Sequence, residues 1–82
     1  MNKTVIDTIK LIAKENNLKI NFDKLDTTLK DIGVDSLALL NLIFKVETKL
    51  DIQIENNTLV QIKNLEDLLN AFNDAYNNKN SK

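Results

Sequence analysis

The chain contains no cysteine, histidine, arginine, proline or tryptophan, and it has a single glycine. Without cysteine and histidine it has no disulfides, no thiolate or imidazole metal ligands and no ready general base. The absence of proline and the scarcity of glycine favour long helices over tight turns. Any thiol chemistry on this protein therefore needs a thiol that another molecule supplies.

An excess of charge of one sign is also lacking. Lysines number 11 and acids 12, the formal net charge is −1, and residues 1–35 and 36–82 are each nearly balanced. A nucleic-acid footprint needs a basic stripe, and bidentate recognition of bases or phosphates needs arginine. The sequence therefore predicts no nucleic-acid partner.

Long apolar runs are missing as well. No run approaches the ~18 residues that a membrane-spanning helix needs, and the N-terminal apolar residues are spaced, unlike those of a signal peptide. We expect no membrane span and a cytoplasmic, monomeric protein. The length predicts one domain over residues 1–77, with a core of Ile, Leu and Val, and a disordered polar tail over residues 78–82.

Helical periodicity predicts an all-α fold. The three main helices are expected over residues 3–17, 36–50 and 64–77. A short helix is expected around residues 57–61 and one helical turn around residues 27–31. The long connection, residues 18–35, has no helical stripe, so its apolar residues are expected to be pinned across the core.

Capping residues support these bounds. Thr4 and Asp7 have the spacing of a capping box at the start of the first helix. Asp35 is placed to cap the second main helix, and Asn64 the last. No metal site is expected, because the acidic stretch 23–35 lacks the ligand spacing and the closing glutamate of a calcium loop.

The second main helix carries more apolar residues than one core face needs. One complete core stripe is formed by Leu39, Leu42, Ile43, Val46 and Leu50. A second row, which we call the outer strip, consists of Leu37, Leu40 and Phe44. Two interpretations stay open: the bundle covers both rows, or the outer strip is exposed and docks another protein.

Ser36 lies at the head of this helix and has three possible roles. A catalytic serine needs a base, and the chain has no histidine; the glycines of a nucleophile elbow are also absent, since Val34 and Ala38 occupy those positions. A helix cap is the simplest role. As an attachment point, Ser36 would place an anionic group at a helix N-terminus, with Gly33 leaving room for it and Asp35 orienting the hydroxyl.

The segment "LKDIGVDSLALLNLIFKVETKLDIQI" resembles the core of the acyl carrier proteins and their peptidyl carrier relatives. The residues that carry the resemblance are Leu29, Gly33, Asp35, Ser36, Leu37, Glu47, Leu50 and Ile54. The later "IKNLEDLLNAF" resembles the closing segment of that family. The similarity extends over the layout of residues 3–76.

The resemblance implies a four-helix bundle of acyl-carrier type, with three main helices and a short third helix. It implies that Ser36 accepts 4′-phosphopantetheine from coenzyme A, with Gly33, Asp35 and Leu37 beside the attachment site. The thiol of that arm would hold an acyl or aminoacyl group as a thioester. The protein would then be no enzyme but a carrier, whose partners are a phosphopantetheinyl transferase and the ligases, synthases or transferases that load and use the acyl group.

Docking of those partners is expected on the second main helix. The candidate docking residues are Leu37, Leu40, Asn41, Phe44, Lys45 and Glu47. In the fatty-acid carriers this helix is strongly acidic, whereas here Glu47 is its only acid. This departure favours a specialised fatty-acid, polyketide or non-ribosomal peptide pathway. The alternative is an unmodified interaction module that uses only the outer strip.

Overall fold

A computed structural model describes residues 3–80, which form an all-α bundle. Its helices are α1 (Lys3–Glu15), α2 (Ser36–Leu50), α3 (Asn56–Leu59) and α4 (Leu65–Asn80), and a 3-10 turn covers Lys30–Ile32. The predicted arrangement of three main helices and a short one before the last is confirmed. None of the helices in the described range is long and apolar enough to cross a membrane.

The core lies between α1 and the two other long helices, since α1 packs against both α2 and α4. Its largest fully buried side chains are Phe72, Ile9, Leu42, Leu65, Leu68, Leu69, Val5 and Val46. The core stripe predicted for α2 is confirmed, because Leu42, Ile43, Val46 and Leu50 are buried. Leu39 is the exception, because it is only half-buried.

The long connection between α1 and α2 is tied to the segment that precedes α4. The Leu29 N–H donates to the Lys63 carbonyl at 3.1 Å, and the Leu65 N–H donates to the Thr27 carbonyl at 3.1 Å. Leu29 is buried, and Phe22 packs on the core. The expected pinning across the core is confirmed, and it satisfies backbone groups that a loop would otherwise leave open.

The same hydrogen bonds explain why the helical turn lies later in the chain than the sequence predicts. The sequence predicts a helical turn over residues 27–31, whereas the 3-10 turn covers Lys30–Ile32. The Thr27 carbonyl accepts from the Leu65 N–H, and Thr28 pairs with Asn64, so these two residues lie before the helical turn and not within it. The short helix α3 begins one residue earlier than expected and ends at Leu59.

The predicted caps of α1 and α4 have different outcomes. α1 already begins at Lys3, so Thr4 lies inside the helix and the predicted Thr4–Asp7 capping box is wrong. The cap on α4 is confirmed: the Asn64 Oδ1 accepts from the Asp67 N–H at 2.8 Å, and the Asp67 carboxylate accepts from the Asn64 N–H at 3.4 Å. The reciprocal pairing satisfies N–H groups that a helix start leaves free.

The end of α4 is longer than expected because it is bound to the end of α2. The Lys79 Nζ donates to the Leu50 carbonyl at 3.0 Å and pairs with the Asp51 carboxylate at 3.2 Å. A cation at this place satisfies the last carbonyls of α2. Residues 78–80, predicted to be tail, are therefore helical, and residues 81–82 lie outside the described part of the chain.

Candidate functional site

The segment that leads into α2 is a 3-10 turn that ends at Gly33. Gly33 has a φ of 82°, in the left-handed region, and its N–H donates to the Lys30 carbonyl at 3.1 Å. The next residue, Val34, is buried and donates its N–H to the Leu29 carbonyl at 2.9 Å. The buried Val34 fixes the position from which α2 starts.

The glycine is explained by its backbone conformation. A Cβ built on Gly33 would meet nothing within 4 Å, so no neighbouring atom excludes a side chain. Left-handed φ values disfavour residues with a Cβ, and Asn tolerates them best. The predicted role of Gly33 in leaving room for an incoming group stays a prediction.

Replacing Gly33 tests this explanation. We expect Gly33→Ala to lower the free energy of unfolding by about 1–2 kcal/mol, and Gly33→Asn to lower it by less. Urea denaturation of the three proteins measures the difference. An alanine variant as stable as the parent protein would show that the turn relaxes out of the left-handed region.

Asp35 caps α2 as predicted. Its backbone is extended, and its Oδ1 accepts from the Ala38 N–H at 2.8 Å. The carboxylate therefore faces the helix start, and no hydrogen bond joins it to the Ser36 hydroxyl within residues 3–80. The suggestion that Asp35 orients that hydroxyl is not supported by the geometry.

Ser36 is the first residue of α2 and is exposed. In the described part of the chain its hydroxyl has no hydrogen-bond partner, and the N–H groups of Ser36 and Leu37 have no acceptor. Free amides at a helix N-terminus, together with the positive end of the helix dipole, favour an anion at that position. Ser36 thus offers an accessible hydroxyl at a place that suits a phosphate.

A groove of about 370 Å³ opens beside this hydroxyl, and we call it the serine groove. It is lined by Thr28, Leu29, Lys30, Val34, Asp35, Ser36, Leu39, Ile62 and Lys63. Leu39, Ile62 and the two lysines are not among the site residues that the sequence predicts. Ile62 and Lys63 join the groove only through the pairing of the long connection with the segment before α4, which no local pattern reveals.

Around Ser36, the described residues hold neither a metal-binding cluster nor a base in hydrogen-bond contact with the hydroxyl. No group of three acidic side chains there is arranged to hold a metal ion. No basic side chain hydrogen-bonds the Ser36 hydroxyl. What the site presents is an exposed hydroxyl with an open groove next to it.

The outer strip is exposed to solvent. Leu37 and Phe44 are each 69% exposed and Leu40 is 54% exposed, whereas Leu42 and Val46 on the opposite face are buried. This excludes the interpretation in which the bundle covers both rows, and docking of another protein on the outer strip stays a prediction. Three large apolar side chains in a row beside Ser36 form a surface suited to contact with another protein.

The polar residues that were predicted to join the strip in docking differ in their surroundings. Asn41 and Lys45 are exposed, and the Lys45 Nζ donates to the Asn16 Oδ1 at the end of α1. Glu47 is only half-exposed, and its Oε2 accepts from the Ile54 N–H at 2.8 Å. Glu47 therefore has a structural role, which the sequence did not reveal.

Variants of Glu47 test that role. Ile54 is buried, so removal of its acceptor leaves an N–H group unsatisfied. We expect Glu47→Ala to lower the free energy of unfolding by about 1–3 kcal/mol, and Glu47→Gln, which keeps an acceptor, to lower it by less. Amide hydrogen exchange at Ile54 provides the local measurement. Unchanged exchange in the alanine variant would show that the hydrogen bond contributes nothing.

Comparison with known proteins gives one consistent result. The family described as "Phosphopantetheine attachment site" matches residues 3–72. A protein of Ureaplasma parvum called "Acyl carrier protein homolog" is 46% identical over 75 residues, which are 92% of this chain and 97% of that protein.

More distant relatives agree. A protein of Mycoplasma genitalium with the same description is 32% identical over 74% of this chain and 75% of its own length. An "Acyl carrier protein" of Phytoplasma mali is 36% identical over 71% of this chain and 70% of its own length. No solved structure matches the chain.

Proposed function

The chain belongs to the acyl carrier protein family, and from that membership we propose that Ser36 is the residue that carries its prosthetic arm. Proteins of this family hold a covalently attached 4′-phosphopantetheine, act as carriers and not as enzymes, and are substrates of phosphopantetheinyl transferases. What remains to be assigned is the attachment residue and its surroundings.

One observation supports Ser36 above the others. It presents an exposed hydroxyl without a partner at the first residue of α2, beside the free N–H groups of Ser36 and Leu37. A phosphodiester at this hydroxyl would be held by those amides and by the helix dipole. The serine groove gives such an arm a place to lie on the protein. When bound, the arm supplies the thiol to which an acyl group is attached as a thioester.

A peptide map tests the assignment directly. Trypsin cleaves after Lys30 and Lys45, and the peptide 31–45 contains a single hydroxyl side chain, that of Ser36. After incubation with coenzyme A and a broad-specificity transferase, we expect this peptide to gain the mass of one phosphopantetheine. Modification of any other peptide would contradict the assignment.

We also propose that the outer strip is where the loading and using enzymes dock. Its position, starting one residue after Ser36, and its exposure support this proposal. The alternative of an unmodified interaction module is not adopted, because the family carries phosphopantetheine. Asn41 and Lys45 remain candidates for docking contacts.

For the pathway, we propose a specialised route of fatty-acid, polyketide or non-ribosomal peptide type. Support comes from the charge of α2, where Lys45 and Lys49 outnumber the single acid, Glu47. The mass of the acyl group on protein isolated from its own cells tests this proposal. The cytoplasmic location stays a prediction from the sequence.

A further inference from the structure

The acids on and beside α2 are all held by the protein itself. Asp35 accepts from the Ala38 N–H, Glu47 accepts from the Ile54 N–H, and Asp51 pairs with Lys79. The Glu47 carboxylate is turned toward the bundle by its bond, whereas the paired Asp51 carboxylate is still 93% exposed to solvent. Glu47, the only acid within α2, is therefore committed to the Ile54 N–H, and the helix itself presents no other acid to a basic partner surface.

The lysines of α2 have the opposite character. Lys45 donates only to the neutral amide oxygen of Asn16, which leaves its charge uncompensated, and Lys49 is exposed with no acceptor among the described residues. On a helix, residues 45 and 49 are successive neighbours on one side. The outward-facing charge of α2 is therefore positive.

An apolar depression lies between these two lysines and the outer strip. It measures about 320 Å³ and is lined by Phe44, Lys45, Thr48 and Lys49. Phe44 contributes its ring, and the lysines contribute their alkyl stems while their ammonium groups reach solvent. An apolar side chain seated in this depression would have two cations beside it.

We propose that the outer strip and this depression together receive an enzyme surface that presents apolar side chains flanked by carboxylates. The inference rests on the proposed function, because it concerns the partners that visit Ser36. At a rise of about 1.5 Å per residue, Lys45 and Lys49 lie about 14 and 20 Å along α2 from Ser36. The carboxylates of the partner enzyme are therefore expected about 14 to 20 Å from the opening that receives the arm. The apolar side chains of the partner lie between the opening and these carboxylates.

Two synthetic amphipathic peptides test the charge preference. Both are about 18 residues long, enough to form a helix, and they share one apolar face, which is flanked by glutamate in one peptide and by lysine in the other. Each is titrated into the ¹⁵N-labelled protein at low salt. We expect the glutamate-flanked peptide to bind about threefold to tenfold more tightly, with chemical-shift changes along residues 37–49.

Charge-reversed variants localise the effect. The double variant Lys45→Glu/Lys49→Glu is expected to reverse the preference. The matched control, Lys19→Glu/Lys24→Glu, changes the net charge equally on the exposed connection after α1 and is expected to keep it. High salt should shrink the difference between the two peptides, since exposed charges are screened.

Several results would overturn the proposal. These are equal affinity for both peptides, shift changes away from α2, or reversal of the preference in the control variant as well. If Lys45→Glu/Lys49→Glu changes only the free energy of unfolding and not the peptide preference, the two lysines act by stabilising the C-terminal end of α2 through the helix dipole. Lysine-dependent binding to anionic phosphatidylglycerol vesicles but not to the peptide would assign the face to a membrane, and sedimentation as a dimer would assign it to a second copy.

The test is separate from that of the attachment site. Peptide binding uses the unmodified protein and is expected to be the same in Ser36→Ala, so it does not depend on a mass gain at Ser36. A failed mass gain with a retained charge preference would reject Ser36 as the attachment residue but leave the docking face. A mass gain at Ser36 together with equal affinity for the two peptides would reject only the charge preference.

Discussion

Replacing Ser36 with alanine is expected to abolish the mass gain with coenzyme A and transferase completely. The chain has only one other serine, Ser81, so Ser81→Ala is a matched control that removes the same group elsewhere. The control is expected to be modified as fully as the parent protein. Intact-mass spectrometry of the three proteins after equal incubation measures both results.

The loss in Ser36→Ala must be separated from unfolding. Ser36 is exposed and makes no side-chain hydrogen bond in the described residues, so its replacement is expected to change the free energy of unfolding by less than about 0.5 kcal/mol. Circular dichroism and a urea titration check this. A folded Ser36→Ala protein that still gains the mass of phosphopantetheine would overturn the assignment.

The second large effect concerns stability. Phe72 is the largest fully buried side chain of the bundle, with no exposed surface. We expect Phe72→Ala to lower the free energy of unfolding by about 3–5 kcal/mol, because the lost apolar burial adds to the cavity left behind. That is a large fraction of the about 5–15 kcal/mol typical of a folded domain. Urea denaturation is the measurement.

Phe44 provides the matched control for Phe72, since the same side chain is removed from the surface. Phe44 is 69% exposed, so Phe44→Ala is expected to change the free energy of unfolding by no more than about 0.5 kcal/mol. In the holo protein it should instead weaken transfer of acyl groups by partner enzymes. Equal destabilisation by both alanine variants would place Phe44 in the core and remove the outer strip as a docking surface.

Local patterns predicted those features that depend on neighbours in sequence. Helix α2 has the bounds that its periodicity and its cap at Asp35 indicated, and the cap at Asn64 was equally readable. The Thr4–Asp7 pattern was misleading, because a capping pattern can occur inside a helix that has already begun. Helix α1 ends at Glu15 and α3 at Leu59, each two residues before the predicted end. Distant residues decide two further ends: Lys79 extends α4 by reaching Asp51, and Leu65 holds residue 27 out of a helical turn.

For the candidate site, the sequence by itself determined the attachment residue that we propose: a hydroxyl in "DSL", a glycine before it and a cap beside it are local features of one segment. Whether the outer strip was buried could not be read from it, because two apolar rows on one helix fit both a central helix and a docking helix. Only the tertiary structure decided that, by packing α1 against α2 with one row buried and the other exposed. It also held Glu47 against Ile54 and brought Lys63 to the serine groove, since such contacts arise from chain reversals that no periodicity encodes.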